Sequence, residues 1–302
     1  MKRTAVFFLA LSLLFSCFSL ASAEVEKNPL LDAAFSMLEK DNVFQRRYNE
    51  ITGANVESLF ELGVPYFFGR QVSNNGKLIN VTELVASYPE YAIRQCLETT
   101  KFFRSGSLYI YGLDCSGYTR WIYNQCGLPM HPGLQDMVTK HDYRKYHVYD
   151  GGTNWTSKSI PMPAYNELKN TLQVGDLLVT KHRARHIMMY IGTLADYGFT
   201  AEEAPDLAAY LDYPLVIHCG PSPFYGERFQ KFIDEHPERY GKCKTTNGGV
   251  EVSIVGVPAD AATYHEHVQI EDYDYFLIDE GNYMLTIRDI DQASSYCWYR
   301  MQ

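Results

Sequence analysis

The segment Leu113-Asp114-Cys115-Ser116-Gly117-Tyr118 stands at the start of the strongest helical pattern in this 302-residue chain, which runs from Ser116 to Gln125. Gly127-Leu128-Pro129 ends that pattern, since glycine and proline commonly stop a helix. Asp114 can cap the helix with its carboxylate, which places Cys115 at the helix N-terminus. The unpaired N–H groups and the positive dipole end there favour a thiolate over a thiol. We therefore expect Cys115 to be alkylated quickly near neutral pH, with the same N–H groups free to hold an oxyanion.

Two strand-like segments further along the chain carry histidines. His186 lies in the run from Arg185 to Gly192, and His218 lies in the run from Leu215 to Gly220. Strand alternation places His186 on the face opposite Ile187. A single strand histidine, like a single helical cysteine, is more often structural than catalytic. Together, however, a cysteine at a helix start and two strand histidines supply a nucleophile, a base and an orienting group.

Helical patterns come first in the chain and strand-like patterns follow. Asn28 and Pro29 predict an N-cap and a first helical residue. Further helices are predicted at Val56 to Leu62, Val81 to Ser87 and Ala201 to Leu211. Strands are predicted at Asp176 to Val179, His186 to Ile191, Leu215 to Cys219, Tyr273 to Ile278, Tyr283 to Ile287 and Ser295 to Tyr299. Helices followed by strands, rather than alternating with them, indicate the α+β class.

The cysteine and histidine segments, in this order, resemble the NlpC-type cysteine peptidases of bacterial cell walls. That family shows an Asp-Cys-Ser-Gly-aromatic helix start, a Gly-Asp-Leu strand, a His-x-x-x-Tyr-Ile-Gly strand and a strand bearing a polar residue. The matching positions are Asp114 to Tyr118, Gly175 to Leu178, His186 to Gly192, and His218. The resemblance implies a papain-like α+β fold in which the cysteine helix packs on an antiparallel sheet, here with helical insertions. It also implies hydrolysis of peptidoglycan stem peptides, usually between D-glutamate and a diamino acid.

The resemblance also implies a role for each residue of the site. Cys115 is the nucleophile and forms a thioester, His186 is the general base, and His218 orients the imidazole of His186. Asp114 and Ser116 flank the nucleophile and are assigned with it to the oxyanion and substrate-binding region. An amidase or acyltransferase could use the same centre on another amide. A wall-binding or host-directed protein that has lost turnover is the non-enzymatic alternative.

Tyr66 is a further candidate for the oxyanion site. It lies in Pro65-Tyr66-Phe67-Phe68-Gly69-Arg70, which is similar to the family's Pro-Tyr-x-Trp-Gly-Gly element. Phe68 stands where tryptophan is usual and Arg70 where glycine is usual. The separation of 49 positions from Cys115 implies a large insertion. Tyr66 could donate its hydroxyl to the oxyanion, and a core aromatic is the other interpretation.

A basic cluster, Lys181-His182-Arg183-Ala184-Arg185, immediately precedes His186 in an otherwise acidic chain. Stem peptides carry free carboxylates, and the guanidinium group binds carboxylates well. Arg183 and Arg185 are therefore predicted to bind substrate. A solvated hairpin loop explains the same cluster equally well.

The first residues predict export. Lys2 and Arg3 precede an apolar run from Ala5 to Phe15, and Ala21-Ser22-Ala23 supplies a small-residue cleavage pattern. We expect a signal peptide cleaved near Ala23 and a protein in the secreted, periplasmic or cell-wall space of a bacterium. Lipoprotein processing at Cys17 is an alternative that fits less well, as is an uncleaved anchor.

The predicted organisation is a signal peptide at residues 1–23, an N-terminal helical segment at 24–55 and a catalytic domain with insertions at 56–302. With 36 acidic and 27 basic residues, the formal net charge of −9 argues against nucleic-acid binding. We expect no cofactor, no metal, no membrane span after processing, and a monomer whose partner is the peptidoglycan stem peptide. His265 and His267 are interpreted as a surface pair, and Gly151-Gly152 and Gly248-Gly249 as turns. Of the seven cysteines, Cys17 is expected to be lost with the signal peptide and Cys115 is the expected nucleophile. The disulfide pairing of the other five stays open: Cys96, Cys126, Cys219, Cys243 and Cys297.

Overall fold

The fold was taken from a computed structural model. It describes residues 25–68, 91–129, 131, 133–134, 137, 145–150, 168, 171–181, 185–257, 264–288 and 295–301. The expected signal peptide, the helix predicted at 81–87, Gly151-Gly152 and Arg183 lie outside the described residues. Within those ranges, no helix has the length and apolar character needed to cross a membrane.

Two helices open the described part of the chain, α1 at Pro29–Phe35 and α2 at Val43–Thr52. Asn28 caps α1 as predicted, because its side chain accepts the N–H of Leu30 at 2.9 Å. Gly53 ends α2 with a left-handed φ of 67°. Both helices lie within the helical segment expected at 24–55, and the buried residues of α2 cluster at its start.

The helix predicted at Val56 to Leu62 is wrong, since this segment forms bends and turns. Asn49 accepts the N–H of Val56 and donates its amide to the Val56 carbonyl, both at 2.9 Å. Leu59 donates its N–H to the carbonyl of Ser36 at 2.7 Å. These long-range partners take the backbone groups that a helix would pair internally.

The cysteine helix is α3, Cys115–Gln125, and two further helices follow later in the chain, α4 at Pro223–Glu235 and α5 at Pro237–Tyr240. The helix predicted at Ala201 to Leu211 is wrong except for one 3₁₀ turn at Pro205–Leu207. The segment folds back on itself there, and Ala195 donates its N–H to the carbonyl of Leu211 at 3.0 Å.

Twelve strands are found in the described residues. They are β1 Ile93–Gln95, β2 Leu108–Ile110, β3 His147–Asp150, β4 Leu177–Lys181, β5 Arg185–Thr193, β6 Pro214–Pro221, β7 Cys243–Lys244, β8 Gly248–Val255, β9 His267–Ile270, β10 Tyr273–Ile278, β11 Tyr283–Arg288 and β12 Ser295–Tyr299. Nine form one sheet in the order β3-β12-β4-β5-β6-β8-β11-β10-β9, and β1, β2 and β7 form a small second sheet. In the large sheet the neighbours are antiparallel, apart from the parallel pair β8 and β11. All six predicted strands are present.

Strand β8 was missed because Gly248-Gly249 was interpreted as a turn, whereas these glycines open the strand. A Cβ atom at Gly248 would lie 2.1 Å from the carbonyl oxygen of Gly220, and one at Gly249 would lie 2.9 Å from that of Val64. Glycine is needed here because neighbouring backbone approaches from both sides.

Helix α3 packs against β5 and β6 through one face of the large sheet. Ile187, Met189 and Ile217 belong to the core on this face, whereas Met188 and Tyr190 belong to a separate cluster on the other face. The predicted alternation on β5 is therefore confirmed. The chain is a mixed α and β protein of the α+β order, with the cysteine helix on an antiparallel part of the sheet.

Candidate active site

The start of α3 is capped by Asp114, as its sequence predicts. The Asp114 carboxylate accepts the N–H of Gly117 at 2.7 Å and the hydroxyl of Ser116 at 3.0 Å. Cys115 is therefore the first residue of the helix. The Asp114 and Ser116 side chains, predicted to bind substrate, are both buried and both engaged in this cap.

The segment carrying Tyr66 lies between β8 and the residues that precede Cys115. Leu113 donates its N–H to the carbonyl of Pro65 at 3.0 Å, and Phe67 donates its N–H to the carbonyl of Leu113 at 2.8 Å. On the other side, Tyr66 donates its N–H to the carbonyl of Gly248 at 2.8 Å. This pairing brings Tyr66 beside the cysteine segment although 49 positions separate them.

The Tyr66 ring fills the space next to the nucleophile segment. It meets Phe102 edge-on at 6.0 Å between ring centroids and stacks on Phe103 at 6.4 Å. Burial, reinforced by the neighbouring Cys115 and Asp114, raises the pKa of Tyr66 well above its usual range. Its hydroxyl therefore stays protonated and can donate a hydrogen bond. Tyr66 is both a core aromatic and a neighbour of Cys115, so the two interpretations made from the sequence are compatible.

Strands β5 and β6 separate at the place where Cys115 approaches the sheet. Their pairing runs from Thr193 opposite Pro214 to Met189 opposite Ile217. Beyond Met189, β5 pairs with β4 alone among the described strands. The backbone N–H of Ile187, beyond the end of this pairing, is close enough to the Cys115 sulfur to lower the pKa of the thiol. The thiol is thereby held next to the residue that follows His186.

The two histidines meet on the edge of the same opening. The rings of His186 and His218 are edge-to-face, with centroids 4.8 Å apart and an interplanar angle of 81°. A Cβ atom at Gly220 would lie 3.0 Å from His186 Cε1 and 3.2 Å from His218 Nδ1. Gly220 therefore leaves the space into which both imidazoles project. The sequence patterns predicted both histidines as site residues but did not indicate Gly220.

A buried polar network lies behind His218, and sequence reasoning missed it. Ser253 Oγ is 2.8 Å from His218 Nε2, and Glu251 Oε1 is 3.6 Å from the same nitrogen. The hydroxyl of Thr286 donates to Glu251 Oε2 at 2.8 Å. The signal was present as alternation, because polar Glu251 and Ser253 are interleaved with apolar residues from Val250 to Ile254.

The ionisation of Cys115 differs from the expectation of a helix-stabilised thiolate. Burial, with a smaller contribution from the Asp114 carboxylate, raises the pKa of the Cys115 thiol to about 12. The N–H groups of Ile187, Ser116 and Cys115 lower it, but by less. The resting sulfur is therefore a thiol at neutral pH, and the expected low pKa is wrong because desolvation outweighs the helix N-terminus.

The basic cluster begins at Lys181, the last residue of β4, and ends at Arg185, the first residue of β5, and these two residues are paired directly across the two strands. Arg183 lies outside the described residues, and the substrate-binding role of both arginines stays a prediction. His267 pairs with Asp274 at 2.8 Å. The described residues contain no group of three potential metal ligands.

The described cysteines are Cys96, Cys115, Cys126, Cys219, Cys243 and Cys297, and no two of them are joined by a disulfide. Cys219, on the helix-facing side of β6, donates its thiol to the carbonyl of Leu113 at 3.2 Å. It thus supports the backbone that leads into Cys115.

The described residues thus hold a thiol at a helix N-terminus and, on the strands against which that helix packs, two histidines whose rings meet, on an α+β scaffold. Residues 100–195 match the NlpC/P60 family, which confirms the resemblance recognised in the sequence. The matched region contains Cys115 and His186, whereas Tyr66, His218 and Glu251 lie outside it. The family is one of cell-wall hydrolases, chiefly cysteine peptidases. No curated protein and no solved structure matches the chain.

Proposed function

We propose that this protein is an exported cysteine endopeptidase that hydrolyses peptidoglycan stem peptides through a thioester on Cys115. The observation that carries the proposal is the position of Cys115 as the first residue of α3, with its sulfur close to the backbone N–H of Ile187, the residue that follows His186. The match of this region to the NlpC/P60 family supports a cell-wall amide as the substrate.

The chemistry begins with a proton transfer, because Cys115 rests as a thiol. His186 takes the thiol proton as the sulfur attacks the carbonyl carbon, forming a C–S bond and an oxyanion. The N–H groups at the start of α3 and the Tyr66 hydroxyl are placed to donate to that oxyanion. The C–N bond then breaks, and the imidazolium of His186 gives its proton to the leaving amine.

The second half of the reaction releases the other product. His186 removes a proton from water, the hydroxide attacks the thioester carbonyl, and the C–S bond breaks. The departing sulfur recovers the proton from His186, so Cys115 returns as a thiol and the product leaves as a carboxylic acid. His218 keeps the His186 ring oriented through both halves.

The substrate is the D-glutamyl–diamino acid bond of the stem peptide. Arg183 and Arg185, which precede His186 in the sequence, supply positive charge for the free carboxylates of the stem peptide. The signal pattern in residues 1–23 supports export to the compartment in which peptidoglycan is found.

Muropeptides of defined composition test the proposal. The mature protein is incubated with them and the products are weighed by mass spectrometry. We expect cleavage between D-glutamate and the diamino acid, and its loss in Cys115→Ala with the fold retained by circular dichroism. Cleavage that survives in Cys115→Ala would contradict the proposal, as would cleavage at a sugar–peptide amide in place of the stem bond.

The non-enzymatic alternative is favoured by one observation, the burial of Cys115. Its side chain is 8% exposed and its pKa is raised to about 12, which suits a structural thiol in a closed cleft. A protein of this kind would bind the same muropeptides in calorimetry and release them unchanged. Binding without turnover by the unsubstituted protein would favour it over the endopeptidase.

A further inference from the structure

Glu251 is a deeply buried carboxylate on the strand next to His218. Strand register pairs the two residues directly across β6 and β8. The Glu251 side chain is 1% exposed, with Thr286 donating to Oε2 at 2.8 Å and His218 Nε2 lying 3.6 Å from Oε1. Burying a carboxylate is costly unless donors or opposite charge compensate it. This position therefore indicates an interaction with His218 and not a packing role alone.

Ser253 lies two residues further along β8, on the same face, with its Oγ 2.8 Å from His218 Nε2. A serine hydroxyl can donate or accept, so Ser253 alone does not determine which ring nitrogen of His218 carries the proton. The carboxylate of Glu251 does, because a negative charge close to Nε2 favours a proton on that nitrogen over a lone pair. Ser253 then accepts the Nε2–H hydrogen bond.

We propose that Glu251 is a positioning residue whose charge holds His218 as its Nε2–H tautomer, with Ser253 accepting the Nε2–H hydrogen bond. The lone pair of His218 Nδ1 is then directed into the space above Gly220, where the Nε2–Cε1 edge of His186 also projects. Nε2–H of His186 is oriented toward His218 in this arrangement, which leaves His186 Nδ1 to take the Cys115 proton. The proposal rests on the hydrolytic function proposed above, since it extends the Cys115–His186–His218 chain to a fourth residue.

The surroundings of Glu251 support its role as the charged group of this network. Among the described residues, the titratable groups on which its charge acts include Cys219 on β6, Tyr225 on α4 and Tyr283 on β11. Burial raises the pKa of each of these three groups, so they are neutral at physiological pH. Glu251 therefore acts on His218 without competition from them.

The tautomer of His218 is measured directly by long-range ¹H–¹⁵N spectra of the ¹⁵N-histidine-labelled protein, with the signal assigned by its loss in His218→Gln. We expect the Nε2–H pattern in the unsubstituted protein and a shift to Nδ1–H, or to a mixture, in Glu251→Gln. Glu39→Gln is the matched control, because Glu39 is also a buried carboxylate but is bonded to Tyr225. It should leave the His218 pattern unchanged.

Ser253→Ala distinguishes the effect of Ser253 on the His218 tautomer from that of Glu251. It also tests the proposal if Glu251→Gln does not fold. The Nε2–H pattern should persist in Ser253→Ala, because the Glu251 charge is intact. A switch of tautomer in Ser253→Ala, or an unchanged tautomer in folded Glu251→Gln, would overturn the proposal.

A second measurement ties the tautomer to catalysis. Glu251→Gln should lower kcat on muropeptides by more than about tenfold with KM little changed. The reason is that a His218 ring protonated on the wrong nitrogen weakens His186 as a base but does not affect substrate binding. The spectra are recorded on the resting protein without substrate. The tautomer result therefore does not depend on hydrolysis. If the proposed function is wrong, the unsubstituted protein will not hydrolyse muropeptides, whatever the spectra show.

Discussion

At the scale of single residues, the state of Cys115 is decided by two opposing effects of known size. A helix N-terminus stabilises a negative charge by about 0.3–1 kcal/mol, which is less than one pKa unit. Burial instead moves the thiol pKa from its ordinary value of 9.0 to about 12. Desolvation therefore prevails, and in the proposed mechanism the His186 imidazole acts as a base during attack instead of forming an ion pair with the thiolate beforehand.

The alkylation rate of Cys115 tests this balance. Because its pKa is raised, the thiolate is scarce at pH 7 and becomes more abundant as the pH rises toward 12. We expect iodoacetamide to label Cys115 about a hundredfold more slowly at pH 7 than an ordinary exposed cysteine, once the higher nucleophilicity of the more basic thiolate is included. Peptide mapping separates Cys115 from the other thiols. Fast labelling that is independent of pH above 6 would show a preformed ion pair instead.

Gly220 gives a second prediction at this scale. In Gly220→Ala the new methyl group would lie 3.0 Å from His186 Cε1, so the imidazole has to move. We expect kcat/KM to fall by about tenfold or more, because a base displaced by a fraction of an ångström loses its alignment. Gly133→Ala is the control, since a Cβ atom there has nothing within 4 Å. Equal activity of the two variants would mean that His186 tolerates the shift.

At the scale of elements, the Gly-Asp-Leu motif has a structural purpose that its sequence does not reveal. Asp176 is buried at the start of β4 and accepts the N–H of Gln173 at 2.8 Å. Arg300, just after β12, binds both Asp176 oxygens, at 2.8 and 2.7 Å. Through this ion pair the motif links β12, the last strand in chain order, to β4, the strand that precedes His186 in the chain.

Loss of the ion pair between Asp176 and Arg300 should lower the free energy of unfolding. Arg300→Met leaves the Asp176 carboxylate buried without its cation, and we expect the free energy of unfolding to fall by about 2–3 kcal/mol in urea titration. The exposed pair of Lys231 and Glu235 supplies the control, because Lys231→Met should change stability by less than about 0.5 kcal/mol. Similar effects of both substitutions would refute a special role for Arg300.

The approach to α3 depends on a second glycine. A Cβ atom at Gly112 would lie 1.6 Å from the carbonyl oxygen of Pro65. Gly112→Ala should therefore break the pairing that holds Tyr66 beside Cys115 and cost about 3 kcal/mol or more of unfolding free energy. Gly133→Ala again serves as the control in the same titration. A Gly112→Ala protein of unchanged stability would contradict the close packing at this point.

Local signals predicted those elements whose own residues determine them. The N-cap at Asn28, the start of α3 at Cys115 and the alternation of β5 follow from side chains within each element. The helix predicted at 56–62 failed because Asn49, in another element, takes its backbone bonds. Strand β8 was not predicted because its first two residues are glycines that allow neighbouring backbone to approach closely, and such glycines resemble a turn in the sequence. Glu251, which lies on β8, was therefore not predicted either. Such long-range reasons cannot be read from a local pattern.

At the scale of the whole molecule, the site draws on parts of the chain that lie far apart. The family match at residues 100–195 contains Cys115 and His186, the proposed nucleophile and base. His218, Gly220 and the Glu251 network come from the later strands β6 and β8, and Tyr66 comes from the segment before the match. The N-terminal helices join the same core, since Tyr118 of α3 donates its hydroxyl to the carbonyl of Ala34 at 3.0 Å.

The central claim is that Cys115 forms a covalent acyl intermediate with a stem peptide. It is tested most directly by mixing the mature protein with a defined muropeptide, quenching with acid within a single turnover and weighing the intact protein. The account predicts a mass increase equal to the acyl fragment, mapped by peptide digestion to Cys115 and absent in Cys115→Ala. Hydrolysis without any adduct on Cys115, or an adduct on another residue, would contradict it.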